Sequence, residues 1–400
     1  MEITKRGILE NLQLVPLTRR PLQRGEVEIR VLATGLNFRD VLNALGMYPG
    51  DPGPLGNECV GRIVALGEEV MALAADTFAT HVTTEAAFVV PKPARLSLAE
   101  AATLPITFLT AYHALHHLGK MQAGERVLIH AAAGGVGLAA VQLAQRAGAE
   151  IFATAGSPEK HAYLRALGVQ HIFSSRTLDF AEQIRQRTNG EGVDLVLNSL
   201  AGEFIPHSLS LLRRGGRFLE IGKTDVWNAD SVKAQYPEVS YHIIYLGETV
   251  HAQPALIRQQ FLELCEAFGR GELHPLPATS FPLAEAVSAY RYMAQARHIG
   301  KVVLTQTEQA RDEGQEARGE GQGAIRAHAS YLITGGMGAL GLQVARWMVE
   351  QGARHLVLVG RSAPSSEASR AIAEMEQAGA KITIAQADIS REDEVKRILA

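Results

Sequence analysis

Apolar and polar residues alternate along much of the first hundred positions, as in the segments at 27–33 and 61–67. Alternation with a period of two predicts β-strands that bury one face. From about Pro105 the pattern changes to short continuous apolar runs, each followed by a stretch with helical spacing. Such repetition of strand and helix predicts a doubly wound parallel sheet. We therefore predict a β-rich part at 1–104 and a nucleotide-binding part at 105–246.

The same patterns predict individual elements in the second part. A helix is predicted from Pro158 to Leu167, because Ser157 is a suitable N-cap and Pro158 fits the first helical position. Buried parallel strands are predicted at 127–129, 151–154, 193–197 and 217–221.

The rest of the chain does not extend this sheet. A helix at 255–268 and a strand at 301–305 suggest that 247–304 returns to the first part. Residues 305–330 are polar, charged and rich in glycine, which predicts a linker. Strands at 331–333, 355–359 and 382–385 then predict a second nucleotide-binding unit at 331–400. Three strands cannot bury both faces of a sheet, so we expect this unit to be part of a larger domain.

The turn between the strand at 127–129 and the following helix is the strongest candidate for a binding site. Glycines let the backbone approach a pyrophosphate closely, and free N–H groups at a helix N-terminus bind its charge. The loop residues concerned are Gly134, Gly135, Val136 and Gly137. A second loop of the same kind contains Gly335, Gly338 and Gly341.

The end of the second strand indicates which dinucleotide binds. NAD sites usually place a carboxylate there, but this chain has Ser157 and Lys160 and no acid. A hydroxyl and an ammonium suit a 2′-phosphate, so NADPH is predicted, although Lys160 is also compatible with a solvated helix position. In the second unit, Arg361 and Ser362 occupy the equivalent place.

Composition narrows the function further. The net charge of −3 does not predict a nucleic-acid partner, and no apolar run has the length of a membrane span or a signal peptide. Cys59 and Cys265 cannot build a disulfide framework, so we expect a cytoplasmic protein. No metal is predicted, because Cys59 lacks a second nearby cysteine, and His113 and His117 lack the glutamate of the metalloprotease motif.

Six segments of the sequence carry a resemblance to a known family, namely LNFRDVL at 36–42, ALGMYPG at 44–50, HAAAGGVG at 130–137, NSLAG at 198–202, GKTD at 222–225 and QARHIGK at 295–301. On these segments the chain resembles the enoylreductase domain of modular type I polyketide synthases, which is related to zinc-free quinone oxidoreductases. The piece from Tyr331 resembles the start of a ketoreductase domain. The resemblance implies a medium-chain reductase with a Rossmann cofactor domain and a GroES-like substrate domain.

The resemblance also implies a reaction. NADPH would deliver hydride to the β-carbon of an α,β-unsaturated thioester carried on acyl carrier protein, and the α-carbon would then be protonated. Ketoreductase and dehydratase domains would be neighbours in the synthase. Lys223 is implied as proton donor or enolate stabiliser, or else as a phosphate ligand or partner of Asp225. Tyr48 is implied in the facial choice of protonation or in shaping the pocket. Thr110, Asn198, Gly222 and Lys301 are implied in cofactor binding.

The chain departs from the family pattern at Tyr245, where members often carry an aspartate proposed to work with the lysine. Either Tyr245 replaces that aspartate or the pair is not required. Loss of an acid favours a variant in which the carbanion displaces halide and closes a cyclopropane ring. The segment Glu68–Val70 also lacks a short insertion that relatives carry. A free-standing quinone oxidoreductase and a non-catalytic NADPH-binding scaffold are further alternatives.

Overall fold

The computed structural model describes residues 1–306, 329–389, 391, 394, 395 and 397. Most of the predicted linker at 305–330 therefore lies outside the described residues. The chain forms two compact units, Met1–Arg311 and Asp312–Ala400. Among the described residues, no helix combines the length and the apolar character needed to cross a bilayer.

Both units contain strands and helices. The strands are β1 Glu2–Ile3, β2 Leu12–Gln13, β3 Glu26–Leu36, β4 Glu58–Ile63, β5 Glu69–Leu73, β6 His81–Glu85, β7 Val89–Pro91, β8 Arg126–Ile129, β9 Glu150–Ala155, β10 His171–Ser174, β11 Val193–Asn198, β12 Leu212–Glu220, β13 Ser240–Ile243, β14 Ala278–Pro282, β15 Lys301–Thr305, β16 Ser330–Thr334, β17 His355–Gly360 and β18 Lys381–Gln386. The α-helices are α1 Phe38–Ala44, α2 Leu98–Ala101, α3 Pro105–Tyr112, α4 Gly135–Ala147, α5 Pro158–Ala166, α6 Phe180–Arg187, α7 Phe204–Leu209, α8 Ala229–Gln235, α9 Leu246–Ala252, α10 Pro254–Arg270, α11 Ala286–Ala294, α12 Ala339–Glu350 and α13 Ser366–Gln377.

A six-stranded parallel sheet forms the centre of the first unit. The strand order is β10-β9-β8-β11-β12-β13. All strands run parallel, but β9 and β10 are added on one side of β8 and β11 to β13 on the other, so the order reverses between β8 and β11. Numbered within the sheet this is 3-2-1-4-5-6, the order of dinucleotide-binding folds, in which ligands bind where the order reverses. The apolar runs that predicted these strands are buried on both faces of the sheet, for example Val127, Leu128 and Ile129.

A seven-stranded, largely antiparallel sheet lies in the same unit. Its main path is β14-β15-β3-β4-β5-β7, and β6 also pairs with β3. The late strand β15 pairs antiparallel with β3, so that Val302 lies opposite Leu36. The late segment 278–305 is therefore part of the sheet that the first hundred residues build.

The second unit contains a parallel sheet of three described strands in the order β16-β17-β18. Helices α12 and α13 pack on it through Leu342, Ala345, Ile372 and Met375. Both helices have the apolar stripe that this packing requires.

Several predicted elements differ in detail. The strand expected at 61–67 is β4, which begins at Glu58 and ends at Ile63, because the chain then turns to Gly67 at φ 74°. Among the strands that were not predicted are β13 and β14, and β14 follows Pro277 and ends at Pro282. Prolines conceal β14 in a sequence pattern because they are rare within strands.

Candidate active site

The glycine turn after β8 has the shape that a pyrophosphate needs. Gly134 is the N-cap of α4, and Ala131 turns the chain at φ 48°. A Cβ at Gly137 would lie only 2.6 Å from the Ala131 carbonyl oxygen, so a side chain does not fit there. Gly135 and Val136 lie in the first helical turn, whose N–H groups have no partner within the helix. The geometry of the loop is therefore compatible with a dinucleotide, and its binding role stays a prediction.

Two cations lie at the end of β9, where the 2′-substituent of a dinucleotide would bind. Arg176, which follows β10, extends across Gly156, where an added Cβ would lie 2.8 Å from Arg176 Nε. Lys160 is half-buried in α5, which Ser157 caps, and its Nζ donates to the Ala296 carbonyl at 2.7 Å. Burial and then Arg176 lower the pKa of Lys160. A phosphate dianion would relieve this repulsion, so the donor set fits NADPH.

Asn198 ends β11, and its side chain contacts protein groups. Nδ2 donates to the Leu200 carbonyl at 2.8 Å and to Glu220 Oε2 at 2.7 Å, while Oδ1 accepts from Leu200 N. These bonds fix the turn that carries Ser199, whose buried hydroxyl has no partner among the described groups. Thr110 is 8% exposed in α3.

Lys223 and Tyr245 are brought together. Lys223 Nζ lies 3.9 Å from the centre of the Tyr245 ring and donates to the Ile244 carbonyl at 3.0 Å. Burial lowers the pKa of Lys223 to about 8, against the charges of Glu220 and Glu248 that raise it. An amine with this pKa is largely protonated at neutral pH and gives up its proton more readily than an exposed lysine.

Tyr48 lies near Tyr245 and beside Arg39. The Arg39 guanidinium carbon is 5.5 Å from the centre of the Tyr48 ring, and Arg39 also contacts the Pro52 carbonyl. Burial raises the pKa of Tyr245, with smaller contributions from Glu248 and Tyr48. Arg39 lowers the pKa of Lys223. Pairwise contacts and charge effects thus connect the three residues predicted as catalytic, with Arg39 between Tyr48 and Lys223.

Glu220 is a member of the site that was not predicted. It ends β12 with 0% exposure and accepts from Gly222 N at 2.6 Å. Burial raises its pKa to about 7. No sequence signal beyond its place two residues before Gly222 could have indicated it, because its partners come from neighbouring strands.

Lys301 was predicted to bind cofactor; the residue is 2% exposed, and its ammonium is paired within the protein. Nζ lies 2.6 Å from Glu58 Oε1 and 2.6 Å from Asn37 Oδ1. The second Glu58 oxygen accepts from Ile106 N at 2.8 Å. The pair lies beside the glycine loop, since Gly300 N donates to the Ala133 carbonyl at 2.9 Å. The Lys301–Glu58 pair is therefore anchored next to the glycine loop.

The second unit contains the residues of the second predicted glycine loop and the residues after its second strand. Gly338 caps α12, and a Cβ at Gly341 would overlap the Gly335 carbonyl oxygen. Arg361 and Ser362 follow β17 and are exposed.

The two histidines considered as metal ligands belong to the helical segment after α3. His113 Nδ1 lies 3.3 Å from Gln260 Oε1, and the rings of His113 and His117 stack 4.9 Å apart. Over the described part of the chain, no group of at least three histidine, cysteine, aspartate or glutamate side chains is arranged to hold a metal ion.

Family models match three stretches of the chain. The alcohol dehydrogenase GroES-like domain matches 23–80, the zinc-binding dehydrogenase family matches 167–304, and the KR domain matches 329–400. A phenolphthiocerol/phthiocerol polyketide synthase of Mycobacterium tuberculosis is 43% identical over 100% of the chain. The chain spans only 19% of the length of that synthase.

Solved structures resemble the first unit. CurK enoyl reductase is 50% identical with a TM-score of 0.73, and the match covers 76% of this chain and 98% of CurK. The CurF ER cyclopropanase from the curacin A pathway is 39% identical, with the same coverage and TM-score. The quinone oxidoreductase of Thermus thermophilus, solved also with NADPH, is 35% identical with a TM-score of 0.65, covering 74% of this chain and 96% of that one. These matches confirm the medium-chain reductase fold with its GroES-like and Rossmann domains, and they point to a nicotinamide cofactor.

Proposed function

Because the chain belongs to the enoyl reductase family of modular polyketide synthases, we propose that it reduces an α,β-unsaturated acyl thioester with NADPH. The contact between Lys223 and Tyr245 carries the proposal. Gly134, Gly135, Val136 and Gly137 would hold the pyrophosphate, and Ser157, Lys160 and Arg176 would hold the 2′-phosphate. Thr110, Asn198 and Gly222 would line the nicotinamide end.

When bound, NADPH would supply hydride to the β-carbon, which would leave negative charge on the α-carbon and the thioester oxygen. The half-buried ammonium of Lys223 would stabilise that charge and donate the proton that the α-carbon receives. Tyr245 would cover the ammonium with its ring. Tyr48, whose ring lies beside Arg39, would orient the acyl chain.

The substrate would arrive on an acyl carrier protein, as the family's synthases are multidomain proteins. The ring-closing variant is the second candidate, since Tyr245 stands where an aspartate is frequent. The greater identity to CurK than to the CurF cyclopropanase supports reduction instead.

The test uses the full chain with NADPH and crotonyl-pantetheine, following nicotinamide absorbance and product mass. We expect a product heavier by two hydrogens and a preference for NADPH over NADH. Butyryl-pantetheine, which has no double bond, is the matched control and consumes no NADPH. Bound NADPH without reduction would contradict the proposal and favour a scaffold role, while halide release from a γ-halogenated substrate would favour ring closure.

A further inference from the structure

Glu220 ties together the ends of three strands in the parallel sheet. Its carboxylate accepts from Asn198 Nδ2 at the end of β11, at 2.7 Å, and from Gly222 N in its own turn, at 2.6 Å. Its main-chain oxygen accepts the N–H of Ile244, just after β13, at 2.8 Å. Both carboxylate oxygens are thus bound by neutral amide donors.

These bonds lead to Lys223 by two routes. Gly222 precedes Lys223 directly, so its bond to Glu220 fixes where the lysine leaves the strand. The N–H of Ile244 donates to the main-chain oxygen of Glu220, and the carbonyl oxygen of Ile244 accepts a hydrogen bond from Lys223 Nζ at 3.0 Å. A displacement of Glu220 would therefore move both the base and the tip of the lysine side chain.

Charge adds to this geometry. Because burial raises the pKa of Glu220 to about 7, its side chain ionises near neutral pH. Once ionised, a carboxylate bound only by neutral amides keeps its negative charge available to a nearby cation. The charges facing Lys223 are Glu220 and Glu248, which raise its pKa, and Arg39 of α1, which lowers it. The Tyr245 ring covers the ammonium. Burial, and then the charge of Glu220, raise the pKa of Tyr241 in β13. Of the two carboxylates, Glu220 is buried and Glu248 is exposed, so Glu220 is screened less by water.

We propose that Glu220 is the positioning residue of this site, which holds Lys223 in place and, in its ionised form, favours the ammonium form of Lys223. This inference rests on the proposed role of Lys223 as proton donor. The proton that reaches the α-carbon comes from Nζ, and Glu220 makes and breaks no bond to the substrate.

The first test compares the pH dependence of kcat for the full chain and for Glu220→Gln. Because the variant lacks the charge that favours the ammonium, its rate relative to the unsubstituted protein should fall about tenfold between pH 6 and pH 8. Asp225→Asn is the matched control, since Asp225 is an exposed carboxylate two residues from Lys223. Asparagine tolerates its φ of 55°, and the control should leave the profile unchanged. A shifted profile in the control, or none in Glu220→Gln, would overturn the proposal.

Glu220→Asp separates charge from placement. The shorter side chain keeps the negative charge but cannot reach both donors, so we expect a similar loss of kcat at every pH. A profile displaced as far as that of Glu220→Gln would contradict a role of the charge.

A measurement without turnover distinguishes this inference from the proposed function. Partial acetylation of Lys223 by acetic anhydride, followed by peptide mass spectrometry across pH, reports its protonation directly. The unsubstituted protein should show a midpoint near pH 8, and Glu220→Gln a lower one. Equal midpoints in the two proteins would overturn the inference, because the charge of Glu220 would then have no effect on the protonation of Lys223. Absence of reduction with the expected midpoints would count against the proposed function alone.

Discussion

Lys223 Nζ lies over the face of the Tyr245 ring, 3.9 Å from its centre. An aromatic face attracts a cation without accepting its proton, whereas a carboxylate partner would raise the lysine pKa further. The Tyr245 ring therefore covers a half-buried ammonium whose pKa burial lowers to about 8.

Removing the ammonium tests its role. Lys223→Met should lower kcat by about 10²–10⁴-fold, the usual contribution of a positioned acid, and abolish the decline in rate above about pH 8. Steady-state kinetics across pH and NADPH fluorescence titration measure the two effects. We expect little change in NADPH affinity. Weaker NADPH binding with normal kcat would instead identify Lys223 as a phosphate ligand.

The tyrosine ring and its hydroxyl can be separated. Tyr245→Phe keeps the face that contacts Lys223 and should retain kcat within about threefold, whereas Tyr245→Leu should lose about tenfold, as expected for a partly buried cation–π contact. Rates with crotonyl-pantetheine at pH 7 decide between them. Equal losses in both variants would mean that the hydroxyl takes part in proton transfer.

The two cations at the end of β9 should determine the choice of dinucleotide. Arg176→Ala and Lys160→Ala should each raise the KM for NADPH by about 10–100-fold, because each removes a charge-assisted hydrogen bond to the 2′-phosphate. The KM for NADH, which lacks that phosphate, should stay nearly constant and serves as the internal control. Equal increases for both dinucleotides would place these residues elsewhere on the cofactor.

The buried pair of Lys301 and Glu58 should contribute to stability. Lys301→Met leaves the Glu58 charge unpaired, which should cost about 3–5 kcal/mol of unfolding free energy. Urea unfolding monitored by Trp227 fluorescence measures this in a Trp347→Phe background, because the chain has two tryptophans. Adding Glu58→Gln should recover part of the loss. Unchanged stability together with weaker NADPH binding would support the sequence prediction that Lys301 binds cofactor.

Local patterns predicted much of this fold. The strands around the glycine turn and the cap at Ser157 follow from neighbouring residues, and the structure confirms them. Glu220 and Arg176 were missed because their partners come from other strands. The nearest acceptor of Lys301 is 243 positions away in the chain, a distance over which one sequence shows no pairing signal. Strand β14 escaped prediction because its pairing with β15 outweighs the prolines at its ends.

The antiparallel pairing of β3 with β15 also bears on synthesis. This pairing joins residues 33–36 to 302–305, and the glycine turn receives its bond from Gly300. A ribosome makes these partners many seconds apart, at about 5–20 residues per second. Until residues 302–305 are made, the edge of β3 that pairs with β15 therefore stays unpaired. Exposed edges attract other chains, so this interval is when the nascent protein is most prone to aggregate.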